Sequence, residues 1–152
     1  MRRIEDIKKF LFNIVVPLLL GALFGYAARN DFSYLSELNR TIKLPGIVFI
    51  IAWSVLYILM GIWQYYNELD DDKFKSNIYY VALFVNLLFT PVLFTFHQLI
   101  FAFVIVIVLF GLIFYLFYSS LKEKKRYSYL LIPYLIWLVL AFVLMLDLVI
   151  NN

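Results

Sequence analysis

A chain of 152 residues, 65% of them apolar and with a mean hydropathy of +0.92, is too apolar for a soluble domain, in which the apolar share is about half. Its formal charge of +3 is spread over polar connections rather than gathered into a stripe, which excludes a nucleic-acid partner. Cysteine is absent, so disulfides, thiolate metal sites and thiol catalysis fall away together.

Residues 1–9 mix Arg2, Arg3, Lys8 and Lys9 with Glu5 and Asp6, and read as an amphipathic lead-in at a membrane surface. The apolar run behind them is too long for a cleaved signal peptide and lacks a small-residue cleavage site. Residues 10–28 carry no formal charge and form a first predicted span. Helical spacing puts Asn13, Pro17, Gly21, Phe24 and Ala28 on one face of it. Gly21 and Gly25 lie beside that face at a spacing that lets two helix backbones approach closely. The close approach can serve packing within one bundle or a homodimer.

Residues 29–43 form the longest polar connection, and connections longer than about 12 residues are usually lids, binding loops or disordered. A second span follows at residues 44–67, opened by Pro45, which suits a first helical turn because it lacks the N–H that would go unpaired there. No Lys, Arg, Asp or Glu interrupts it, and it is long enough to cross a hydrocarbon core of about 30 Å. Trp53, Tyr57, Met60, Gly61 and Gln64 share one face. An indole N–H, a phenol and an amide would be penalised in lipid, so this face points inward.

The acidic turn with Asp70, Asp71 and Asp72 lacks the glycine and glutamate spacing of a calcium loop and reads as a solvated turn. Residues 76–121 then contain no formally charged residue, which is enough for two spans of about 20 residues each. We place these at 77–96 and 99–121, with the reversal at His97 and Gln98. The third span puts Tyr79, Leu83, Asn86 and Thr90 on one face, and Pro91 can kink it. The fourth is almost pure Val, Ile, Leu and Phe and is expected to be the most lipid-exposed. The fifth, at 127–150, puts Tyr134, Trp137, Ala141 and Leu144 on one face. The expected fold is thus all-α: one integral membrane domain, residues 1–152, with five transmembrane helices.

Ten of the thirteen Lys and Arg residues fall at the amino end and in the second and fourth connections, which predicts that side to be cytoplasmic. Chemistry is sparse. The single His97 cannot build a metal site alone and reads as a surface turn residue. Asp147, the only acid inside a predicted span, is expected at the interface. No nucleophile–base set, phosphate loop or carboxylate pair occurs, so no catalytic residue is assigned. What remains is a weakly polar aromatic interior: Trp53, Tyr57 and Gln64, then Asn86, then Tyr134 and Trp137. It could orient a flat apolar ligand, or it could simply glue helices together.

Pro45 with Phe49, then Trp53, Leu56, Tyr57, Met60 and Gly61, resemble the second helix of the translocator protein (tryptophan-rich sensory protein, TspO/MBR) family. Asn86, Pro91 and Phe94, then Gln98 and Ala102, and finally Pro133, Tyr134, Trp137 and Ala141, continue the resemblance over nearly the whole chain. It implies a five-helix bundle, commonly dimeric, in a bacterial cell membrane, with a pocket capped by the first loop. The ligands implied are porphyrins and other haem-like tetrapyrroles, sterols or drug-like molecules, with no required cofactor. Carried over by position, the pocket residues are Trp53, Tyr57, Asn86, Trp137 and Ala141. Tyr34 from the loop, and Gln64 and Tyr134 from the inward faces, complete the expected site. The chain departs from the family where a loop Trp-Tyr pair would stand, which here reads Ser33-Tyr34, and where a helix tryptophan becomes Phe89. With no tryptophan before Trp53, light-driven porphyrin degradation is not expected. A loop with so few aromatic anchors is expected to be mobile, since ordering costs about 1–2 kcal/mol per residue.

Overall fold

The computed structural model describes residues 1–152 and contains helices and no strand. Five helices are long and apolar enough to cross a membrane. In chain order, α1 is Arg2–Ala27, α2 is the single turn Tyr34–Glu37, α3 is Gly46–Leu69, α4 is Lys73–Thr90, α5 is Leu99–Lys122 and α6 is Ile132–Asn151. A 24-residue helix such as α3 measures about 36 Å, enough to clear the hydrocarbon core. The basic lead-in is not a separate element but the first turns of α1, which starts at Arg2.

Each helix boundary has a local cause. Pro45 stands immediately before α3 with its φ already fixed at −60°. Asp72 caps α4, its carboxylate accepting the Lys75 N–H at 3.0 Å. Pro91 has no N–H to continue an α-helical ladder, and the chain passes into a π-helical turn over Pro91–Thr95. His97 then reverses the chain at a φ of 54°.

α1 packs mainly on α3, while α5 lies against both α4 and α6. The inward face of α1 is the one its spacing defines: Asn13 and Pro17 are buried, Phe24 packs on the core, and Ala28 is buried just past the helix end. At Gly61 α3 rests tightly on α1, because a Cβ there would run into the Asn13 carbonyl. Gly21 likewise makes room for the Tyr57 ring, whereas Gly25 faces open space. The close approach therefore serves packing inside the bundle at Gly21 and Gly61.

The expectation that the fourth span is the most lipid-exposed is corrected. In its most apolar stretch α5 has 28% of residues buried, against only 11% for α1. Ala102, Val106, Leu109, Ile113 and Leu116 form its buried face. A helix apolar all round gives no periodic signal of which side is inward.

The amino-terminal side of the bundle is tied together by charge. Lys75 is buried and reaches Glu123 at 2.6 Å and Asp72 at 3.1 Å. Asp70 accepts from the Tyr127 hydroxyl at 2.7 Å and pairs with Lys125 at 2.9 Å. The hydroxyl and the ammonium together hold the Asp70 carboxyl below its usual range.

Candidate ligand-binding site

Trp53 is the centre of an aromatic cluster built by three helices, α3, α4 and α6, and sits half-buried. Its ring lies 6.2 Å from Tyr57, 6.4 Å from Phe89, 6.3 Å from Tyr134 and 6.1 Å from Trp137, centroid to centroid. Phe49 meets Trp137 edge-on at 5.7 Å. These separations suit offset or edge-to-face contact, in which the positive ring edge meets a negative face. α3 supplies Phe49, Trp53 and Tyr57 because residues four apart stack on one side of a helix.

One direct hydrogen bond crosses the cluster. The Asn86 side-chain amide donates to the Tyr134 hydroxyl at 2.5 Å, and both residues are buried. The Trp137 indole N–H is also buried and finds no partner in the protein. A buried donor left unpaired costs about 1–3 kcal/mol, so Trp137 gains whenever an acceptor arrives.

Ala141 lies one turn beyond Trp137 in a second cluster with Leu93, Ala102, Val106, Met145 and Leu148. Tyr34, Leu35 and Leu38 from the first connection pack on that cluster, and so does Phe89, which links it to Trp53. The structure thus brings together Trp53, Tyr57, Asn86, Tyr134 and Trp137, with Ala141 and Tyr34 in the adjoining layer. Gln64 is apart from them. It lies seven residues past Tyr57, about 10 Å along α3, and donates to Glu68 at 3.1 Å and Ser76 at 3.0 Å. Trp63, which the sequence reading did not single out, is fully buried beside Tyr79 and Tyr127 near that same end. Its signal was a second helical stripe, Leu56, Met60, Trp63 and Asn67, all buried.

The first connection is fastened over the opposite end by more contacts than its few aromatic residues suggest. Tyr34 stacks on His97 at 3.8 Å, and Phe32 meets Phe94 edge-on at 4.7 Å. Asp31 accepts from the Thr95 hydroxyl at 2.8 Å. Asp147 accepts the backbone N–H groups of Thr41 at 2.8 Å and Ile42 at 3.1 Å. Polar fastenings take the place of the missing tryptophan. The rings beneath pack against one another, and two cavities of about 270 Å³ lie elsewhere, one lined by Lys8, Lys9, Phe12, Asn13 and Glu68, the other by Val106, Ile107, Phe110, Val139 and Phe142.

Asn86→Leu is expected to leave the fold intact. An interhelical hydrogen bond in a membrane averages about 0.6 kcal/mol, too little to hold the bundle alone. Thermal melting in detergent checks this; a collapse of the transition would make the Asn86–Tyr134 bond structural glue.

Five apolar helices around an aromatic interior, with a strap over one end, define an integral multi-pass membrane protein. The family model for the TspO/MBR family matches residues 13–150, and the chain belongs to that family. Membership goes with a ligand-binding or transport role in the membrane. No curated protein matches the chain.

Proposed function

We propose that the protein is a membrane receptor or carrier for flat hydrophobic ligands such as porphyrins or other tetrapyrroles, held within the bundle under the first connection. The observation that carries this reading is the Trp53-centred cluster, with the unpaired Trp137 N–H inside it. Flat rings offer the same stacking faces that these side chains now offer one another, and a ligand acceptor would pair the indole. Because the rings pack against one another beneath the strap, a ligand enters as the strap lifts and Trp53 or Phe89 swings aside. A lid of this kind exposes its site only in a minor state, and the ligand then selects that state.

The same ring-on-ring packing supports a second reading, in which the bundle is a structural or interaction protein and the rings only hold it together. Titration of the purified protein with protoporphyrin, followed by tryptophan fluorescence, separates the two. Saturable quenching is expected of a receptor; quenching that tracks partition into empty detergent micelles supports the scaffold. We further place the amino end in the cytoplasm, from the basic asymmetry of the connections. A cysteine at position 37 should react with an impermeant reagent on intact cells, and one at 124 only after permeabilisation. The opposite pattern would invert the topology.

A further inference from the structure

The cleft between α1 and α3 at the amino-terminal side belongs to neither the aromatic cluster nor the strap. It has a volume of about 270 Å³ and is lined by Lys8, Lys9, Phe12, Asn13 and Glu68. Glu68 lies near the end of α3, and its carboxylate is firmly placed. One oxygen accepts from Asn13 at 3.0 Å; the other accepts from Gln64 at 3.1 Å and lies 3.5 Å from the Tyr80 hydroxyl. Asn13 and Gln64 are themselves buried, and Asn13 is held by a further bond to the Lys9 carbonyl at 3.1 Å. Every one of these partners is neutral. Glu68 takes part in no ion pair, and neither do Lys8 and Lys9, although all three border one cleft.

Glu68 is partly exposed, its carboxylate held by buried amides and without a cation, so a cationic headgroup would supply the charge-assisted partner it lacks. The two exposed lysines beside it call for an anion at the same place. A molecule that meets both demands carries an ammonium and a phosphate a few bonds apart, next to an apolar tail that can run along Phe12. We propose that the cleft binds an ethanolamine phospholipid, its ammonium on Glu68 and its phosphate between Lys8 and Lys9. A choline headgroup has the same charges but no N–H to donate, and a glycerol headgroup brings no cation to Glu68. The primary ammonium is therefore the selective feature, through charge-assisted hydrogen bonds.

The test is native mass spectrometry of the delipidated full chain in detergent, with dioleoyl phosphatidylethanolamine, phosphatidylcholine or phosphatidylglycerol added at equal concentration. The ethanolamine lipid should bind about tenfold tighter than the other two, the worth of one charge-assisted hydrogen bond. Glu68→Gln should remove that preference, weakening the ethanolamine lipid more than phosphatidylcholine, which loses only charge attraction and no hydrogen bond. Lys8→Gln with Lys9→Gln should weaken both zwitterionic lipids. Those lysines are exposed, so the pair remains informative if circular dichroism shows the Glu68 variant misfolded. Equal binding of ethanolamine and choline lipids, or a preference that survives a folded Glu68→Gln, would overturn the proposal. So would free phosphoethanolamine binding as tightly as the lipid, since the site would then serve a soluble molecule.

Discussion

Gly61→Leu should prevent the bundle from assembling, and Gly61→Ala should already lower its melting temperature by several degrees. At this position α3 rests directly on the α1 backbone. A Cβ would overlap the Asn13 carbonyl group and press on the Ile14 Cα. Flexible side chains can turn away from such a clash; main chain held in a helix cannot. Overpacking a tight contact costs about 1–3 kcal/mol even when neighbours can shift. Here relief requires separating the two helices, which would also pull Asn13 from Glu68. Gly25→Ala, with open space around it inside α1, is the matched control and should leave the melting temperature unchanged or slightly raised, since Ala favours a helix over Gly by about 1 kcal/mol. Circular dichroism melts of the three variants in one detergent give the comparison. Equal melting of Gly61→Ala and Gly25→Ala would show that the helices do not touch at Gly61.

Much of this architecture is legible in the sequence because a bilayer imposes simple demands. Charge-free runs mark the spans, since charged groups are costly in hydrocarbon. Asn13 and Pro17 on α1, with Ala28 just past its end, and Tyr79, Leu83 and Asn86 on α4, could be placed on one face each by helical spacing, and these faces are buried. Where no such face stands out, the signal is lost. α5 has buried and lipid-facing sides of the same Val, Ile, Leu and Phe, and composition could not say which was which. Partners far apart in sequence were equally hidden. Asp147 could be placed at the interface from its position near a helix end, but its bonds to Thr41 and Ile42 span more than a hundred residues. Gln64 shares a helix stripe with Trp53 and Tyr57, yet two turns of helix carry it into the polar layer with Glu68 and Ser76. A stripe gives direction around a helix and leaves depth unassigned.

The largest expected effect on binding concerns Trp137. Its indole N–H has no partner in the protein, while its ring packs edge-on against Phe49 and Trp53. Trp137→Phe keeps an aromatic ring but loses the donor together with part of the indole's area, a size loss that Trp63→Phe matches, whereas Trp137→Ala removes packing worth about 3–5 kcal/mol in a core. If a tetrapyrrole enters this cluster, the donor meets one of its ring-edge or carboxylate acceptors, and losing that bond should weaken binding about tenfold. Trp63, fully buried beside Tyr79, supplies the contrast. Trp63→Phe should leave affinity for the ligand unchanged. The decisive measurement is the dissociation constant for protoporphyrin in wild type, Trp137→Phe and Trp63→Phe, each confirmed folded by circular dichroism. A ligand site around Trp53 predicts saturable binding that weakens about tenfold in Trp137→Phe alone. Binding that fails to saturate, or that is the same in all three proteins, would contradict it.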